Sequence, residues 1–138
     1  MIFITKTFTF EAAHALKDYN GACANIHGHS YKLEVAVTGL SIGEDGMIID
    51  FKDLKALVKK NILDEFDHSL MLNASTSSEV ICTLQKQYNK VLVLPFQPTS
   101  ENLIKHFAAL IESVLIPPLS LKRLILYETA TSYVTYEE

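Results

Sequence analysis

The sequence predicts an α+β fold, and three observations carry the expectation. Residues 2–14 alternate: Ile2, Ile4, Phe8, Phe10, Ala12 and His14 fall on one parity, and Thr5, Thr7, Thr9 and Glu11 on the other. That period-two pattern is the mark of a half-buried strand. Two later stretches, beginning near residues 51 and 100, space their apolar residues three and four apart, as amphipathic helices do. Along the chain the order is strand, strand, helix, an additional segment, helix, strand, strand. No internal repeat, low-complexity tract or linker divides the 138 residues, so a single domain (1–138) is expected.

The second strand is expected from about residue 29 to 38, with Tyr31, Leu33, Val35 and Val37 on one face and Lys32 and Glu34 on the other. Polar and small residues, 17–25, separate it from the first strand, which suits an antiparallel hairpin with a long loop. Gly43-Glu-Asp-Gly46 reads as a turn. Asp50 is placed to cap a helix carrying Leu54, Leu57 and Val58 to about Ile62. Residues 64–69 read as a loop or frayed helix end. Residues 78–88 look helical, and Val91-Leu-Val-Leu94 looks like a short buried strand. Pro98-Thr-Ser-Glu-Asn102 is a helix start, followed by an apolar stripe of Leu103, Ile104, Phe107, Leu110, Ile111 and Val114 that Pro117-Pro118 closes. Strands at about 122–127 and 132–136 complete the chain.

Composition narrows the function. Lys plus Arg is 12 against 16 Asp plus Glu, a formal charge of −4, with no basic stripe to exchange for phosphate counterions. A nucleic-acid binder is not expected. An anionic substrate must then be held by a local cluster or a metal. Two cysteines, Cys23 and Cys82, are too few for a disulfide framework. No apolar run approaches the ~20 residues of a bilayer span, and the first seven residues lack the charged and apolar regions of a signal peptide. A cytoplasmic, membrane-free protein is expected.

The most informative stretch is Cys23-Ala-Asn-Ile-His27-Gly-His29. Side chains alternate along an extended chain, so His27 and His29 point the same way. Gly28 leaves the backbone between them uncluttered. His14 ends the first strand on the parity of Phe8 and Phe10, which places three imidazoles on one apolar face near the hairpin loop. Three neutral imidazoles without an obvious fourth ligand suit a catalytic zinc site with an open position. Nickel or iron would also suit three histidines, and histidines satisfied by ordinary hydrogen bonds are the alternative. Cys23 reads as a fourth ligand, a buried thiol or a reactive one. Asp67-His68 suggests a carboxylate beside an imidazole. Neighbouring residues do not easily bond side chain to side chain, so both are expected to face a third group. Glu128 is unexpected at the end of the apolar run Leu124–Tyr127; a carboxylate there can grip the guanidine-like edge of a heterocycle through two hydrogen bonds, or merely be a charge at the surface.

Taken in order, these motifs resemble the 6-pyruvoyltetrahydropterin synthase family, and most closely its 6-carboxytetrahydropterin synthase branch of queuosine biosynthesis. The resemblance runs along nearly the whole chain: Phe8-Thr-Phe-Glu-Ala-Ala-His14, Cys23-x-x-x-His27-Gly-His29-Ser, Gly46-Met-Ile-Ile-Asp50-Phe51, Asp67-His68 with Leu72-Asn73, Pro98-Thr-Ser-Glu-Asn102 and Glu128-Thr129. It implies a tunnelling fold, in which an antiparallel four-stranded sheet carries two main helices on one face. Copies would join their sheets into a barrel, as a homohexamer of two stacked trimers. It implies Zn2+ on His14, His27 and His29, and Cys23 as the proton-abstracting group. Asp67 and His68 would complete the catalytic set across a subunit interface. Glu128 would anchor the pterin ring, with Thr99, Ser100 and Glu101 lining its pocket. The substrate would be 7,8-dihydroneopterin triphosphate, losing triphosphate and acetaldehyde.

Three departures bear on that reading. Ala15 stands where many relatives carry an Arg after the first zinc histidine, with Lys17 the nearest substitute, and the basic residue and glycine expected just before the chain's final glutamate are absent. The triphosphate site is therefore not named. Residues 74–96 are longer than in compact members, an insertion expected outside the sheet whose Val91–Leu94 run can add an edge strand. Cys82 and His106 are read as bystander and structural residue. Ala24, where folate-pathway members tend to carry a glutamate at or beside the cysteine, argues against that branch. The alternatives are a 6-pyruvoyltetrahydropterin synthase, a non-catalytic pterin-binding homologue, and a structural zinc module that would unfold on chelation.

Overall fold

A computed structural model describes residues 1–40 and 42–138. The alternating segment forms β1 (Ile4–His14), paired antiparallel with β2 (His27–Thr38) from Ile4↔Val37 to His14↔His27. The helix that follows is α1 (Phe51–Val58), and the Asp50 carboxylate accepts from Lys52 N–H at 2.7 Å at its start. It does not end near residue 62. It continues through a π turn at Lys59–Leu63 into α2 (Asp64–Phe66). Leu54, Val58, Ile62 and Phe66 are all fully buried, four residues apart. Four residues overshoot an α-helical turn by about 40°, so three such steps would carry Phe66 off the buried face. The wider π turn takes up that drift.

Next come β3 (Ser69–Asn73), α3 (Ser78–Gln87) and β4 (Val91–Leu94). The chain then forms α4 (Ser100–Val114), β5 (Ser120–Tyr127) and β6 (Tyr133–Glu137). The sheet order is β4-β3-β1-β2-β5-β6. Its β1-β2-β5-β6 part is the expected four-stranded antiparallel sheet. The sheet is nevertheless six-stranded and mixed, because β3 runs parallel to β1 over residues 12–14 and β4 parallel to β3. The Val91–Leu94 edge strand follows the expectation, whereas β3 does not. Ser69-Leu-Met-Leu-Asn73 has no β-branched or aromatic residue, and its extended form comes from partners on both sides rather than local preference.

The helices α1 and α4 lie on the face of Phe8, Phe10, Tyr31, Leu33 and Val35, closing a core with Leu103, Phe107, Ile111, Leu124 and Leu126. Phe10 stacks on Tyr31 at 5.0 Å between ring centroids, with Phe107 edge-on at 6.1 Å. His106 packs beside Phe66 and Phe96. By contrast α3 buries none of its residues, and Cys82 on it is exposed. Among the described residues, no helix is long and apolar enough to cross a membrane.

Candidate metal centre

The strand register puts the histidines together. His14 sits directly opposite His27, and Ala12 opposite His29, so all three imidazoles emerge on the core side at the hairpin's loop end. Their ring centroids lie 4.6, 5.2 and 5.0 Å apart. Packing within the chain does not require a glycine between them, since a Cβ on Gly28 would meet Ala12 O at an ordinary 3.5 Å.

Hydrogen bonds fix which nitrogen of two rings is bare. His14 Nδ1 lies 2.7 Å from Pro98 O, and His27 Nδ1 lies 2.8 Å from Asn25 O. A carbonyl only accepts, so each Nδ1 carries the proton and each Nε2 keeps a lone pair in the neutral ring. Burial pushes the His14 imidazolium below its usual pKa of 6.5, outweighing the help of Pro98 O, and favours that neutral ring. His14 Nε2 and His27 Nε2 are 3.1 Å apart, two acceptors face to face. His29 Nε2 is buried with no hydrogen-bond partner. Glu128 Oε1 adds a further acceptor, 2.8 Å from His29 Nε2 without hydrogen-bond direction and 3.4 Å from His14 Nε2. Ligand atoms of His14, His27, His29 and Glu128 all lie within 4.8 Å of one another. Acceptors crowded this way repel unless a cation lies among them, so the donor set fits a divalent metal.

The helix-start motif supports this cluster from behind. Pro98 O orients His14, Thr99 Oγ1 accepts from Asn102 N–H at 3.3 Å to cap α4, and Ser100 Oγ donates to Glu128 Oε2 at 3.0 Å. Ser100 therefore reaches the site through Glu128, while the Thr99 hydroxyl serves the helix. Glu101 is exposed and joins no hydrogen bond or ion pair among the described residues. Cys23 lies outside the ligand group, half-buried in a 3-10 turn (Ala22–Ala24), with its carbonyl accepting from Leu16 N–H at 2.9 Å. Glu128 holds the fourth position of the cluster.

Asp67 and His68 lie elsewhere, past the end of α2. His68 Nδ1 is 3.0 Å from Asp67 Oδ1, close enough for an ion pair with a protonated ring but without hydrogen-bond direction. The backbone brings them close: His68 has φ +62°, and this left-handed turn folds the dipeptide tightly enough for neighbouring side chains to meet. Glu11 N–H donates to Asp67 Oδ1 at 2.9 Å and is the main cause holding that carboxyl below its usual range, with the His68 ring adding to it. His68 is exposed and lines a cavity of about 360 Å3 together with Glu11, Gly28, His29 and Ser30. A cavity of about 500 Å3 among Met1, Ile2, Leu40 and Ile42 lies at the far end of the hairpin from the histidines.

Two supporting roles had no signal in the sequence. Gln97 accepts from Lys17 N–H and Asn73 Nδ2 and donates to Lys17 O, tying the loop of Cys23 to β3. Pro98 acts through its carbonyl, which side-chain patterns do not report. The Lys17 ammonium, the suggested phosphate partner, lies 3.7 Å from Asp18.

Comparison with known proteins agrees with this geometry. The family model described as 6-pyruvoyl tetrahydropterin synthase matches residues 3–138. The chain is 37% identical to the 6-carboxy-5,6,7,8-tetrahydropterin synthase of Haemophilus influenzae, over 100% of both chains. It is 33% identical to the synthase of the same name from Aquifex aeolicus, over 98% of this chain and 97% of that one. Among solved structures, the 6-pyruvoyl tetrahydropterin synthase of Caenorhabditis elegans superposes with a TM-score of 0.71 at 26% identity, covering 99% and 95% of the two chains. An uncharacterized protein from Wolinella succinogenes reaches a TM-score of 0.82 at 19% identity, covering 99% and 98%, a likeness of fold.

Proposed function

Since the chain belongs to the 6-pyruvoyl tetrahydropterin synthase family, we propose that it is a zinc-dependent 6-carboxytetrahydropterin synthase acting in queuosine biosynthesis in the cytoplasm. It converts 7,8-dihydroneopterin triphosphate and water into 6-carboxy-5,6,7,8-tetrahydropterin, acetaldehyde and triphosphate. The carrying observation is the set of bare imidazole nitrogens converging at the hairpin end, in a chain matched over its full length by synthases of that name.

His14, His27 and His29 hold the zinc, whose Lewis acidity makes the hydroxyls of the substrate side chain more acidic. Cys23 takes a proton from the side-chain carbon next to the ring and returns it further along, as a general base and then acid. The ring gains the two electrons the side chain gives up, so no external reductant is consumed. Asp67 holds His68 in one orientation through its 3.0 Å contact, and His68 relays protons at the leaving side. Glu128 keeps Ser100 on Oε2 and has acceptor capacity left for the amino edge of the pterin. Thr99 and Glu101, which flank Ser100 at the start of α4, would line the ring's pocket.

Copies of the chain complete the site. The β1 strand has β3 beside it only at residues 12–14 and the Asp67–His68 turn at Glu11, so residues 4–10 present an open edge, and β6 is the outermost strand at the other side. Such edges invite strand pairing. Copies joined β1 to β6 make a trimeric barrel, two of which stack as a hexamer. The Asp67–His68 turn is hydrogen-bonded to Glu11 beside this edge, where a neighbouring copy would meet it. Residues 74–96 form an insertion in a single domain. The test is anaerobic turnover of the zinc-loaded protein with mass spectrometry of pterins and trapped aldehyde. Acetaldehyde with a carboxylated tetrahydropterin is expected, whereas a pyruvoyl pterin without acetaldehyde would favour the 6-pyruvoyl reading and no turnover a binding protein.

A further inference from the structure

The segment between β3 and β4 sends one side chain to the Asp67–His68 turn. Lys90 stands immediately before β4, and its carbonyl accepts from Leu70 N–H at 2.9 Å, which fixes its backbone against β3. Its ammonium reaches the end of the long helix and donates to Asp64 O at 2.9 Å and Asp67 O at 2.7 Å. The last carbonyls of a helix lack partners within it and carry partial negative charge, so a cation suits them.

One of those carbonyls matters more than the other. Asp67 O belongs to the same peptide unit as His68 N–H, which donates to Glu11 O at 2.6 Å. Both edges of this peptide plane are therefore gripped, one by Lys90 and the other by β1. A third bond, Glu11 N–H to the Asp67 carboxylate, holds the preceding side chain. The plane sets the direction in which His68 leaves the backbone, and His68 sits at φ +62°, a conformation that residues with a Cβ resist. Among the described residues, the one polar contact of the His68 side chain is that of its ring with Asp67.

We propose that Lys90 is a positioning residue for His68: it clamps the Asp67–His68 peptide so that the imidazole is presented in one orientation to the neighbouring copy's substrate. The inference rests on the reading of Asp67 and His68 as reaction groups, and it gives residues 74–96 a task, the delivery of an ammonium to the turn. Lys90 does not touch substrate.

The test is steady-state kinetics of the zinc-loaded oligomer of Lys90→Met, Lys90→Arg and His68→Ala, with metal content and melting temperature measured beside them. Misplacing a reacting group by about an ångström costs up to ~100-fold in rate, so Lys90→Met is expected to lose about tenfold or more in kcat with KM and zinc content unchanged. Lys90→Arg, whose fork can donate to both carbonyls, should recover most of the loss. Amide exchange at His68 should quicken in Lys90→Met and return in Lys90→Arg. If His68→Ala loses activity while Lys90→Met keeps the wild-type kcat, the positioning role is overturned. A kcat loss that merely follows the melting temperature and vanishes in a cooler assay overturns it too. If His68→Ala turns over normally, the reading of the turn fails, and this inference with it. Should Lys90→Met not fold, Lys90→Gln carries the test: an intermediate kcat supports the clamp, and a wild-type kcat refutes it.

Discussion

Replacing Glu128 by Gln keeps the shape of the side chain and removes one negative charge from the edge of the imidazole cluster. Its Oε1 lies 2.8 Å from His29 Nε2 and 3.4 Å from His14 Nε2. At 4 Å, a unit charge pair near a protein surface is worth about 4 kcal/mol. That is a ceiling here, because Glu128 is 29% exposed and its free carboxylate is hydrated. Loss of a group that tunes a metal site costs about 10- to 100-fold in affinity, or about 1.4 to 2.8 kcal/mol. The zinc Kd of Glu128→Gln should rise by that factor at pH 7.5, read by competition with a chromophoric chelator. The effect has a pH signature. The Glu128 charge raises the pKa of His14, so the variant also binds competing protons less well. Its deficit in zinc affinity should therefore shrink at pH 6. An unchanged Kd at pH 7.5, with the Co2+ absorption of wild type and variant superimposable, would show that Glu128 does not act on the metal and would undo the four-group reading of the cluster.

Other consequences are equally concrete. Thr99→Ala removes the hydroxyl that caps α4 and should cost about 1 kcal/mol in urea unfolding of the metal-free protein; no change would mean that the cap is replaced by solvent. In metal-free protein His14 binds its proton less readily folded than unfolded, so stability is kept above the unfolded pKa and lost as pH falls from about 6.5 toward the lower folded value. The urea midpoint should therefore drop between pH 7.5 and 5.5, by less in His14→Gln, and a midpoint that rises would contradict the sign. Cys23→Ala should lose at least ~100-fold in turnover, the usual worth of a general base, while keeping full zinc content, since Cys23 lies outside the ligand group; loss of zinc would return it to the ligands.

The hairpin and its histidine cluster were legible because alternation is a rigid rule. Once residues 2–14 and 29–38 are strands, parity alone puts His14, His27 and His29 on one face, and the register His14↔His27 follows. The caps at Asp50 and Thr99 were legible for a similar reason, since a short polar side chain before an apolar stripe has few other uses. What escaped depends on partners distant in sequence. β3 is a strand because β1 and β4 flank it, and α2 persists to Phe66 because the core accepts a fourth apolar residue. The Asp67–His68 contact depends on a positive φ that no side-chain pattern announces. Glu128 stands out in the sequence as a misplaced charge, yet its nearness to the histidines requires β5 to lie beside β2.

In the proposed reaction, three hairpin histidines hold the ion on which a side-chain cleavage that leaves a carboxylate on the ring depends. The most direct measurement is a zinc titration of metal-free protein under anaerobic conditions, with acetaldehyde and carboxylated tetrahydropterin quantified at each step. Equimolar products should rise linearly to one zinc per chain and vanish in His29→Ala, while circular dichroism shows the sheet retained without metal. Turnover that ignores zinc, or a product without acetaldehyde, would contradict the proposed reaction.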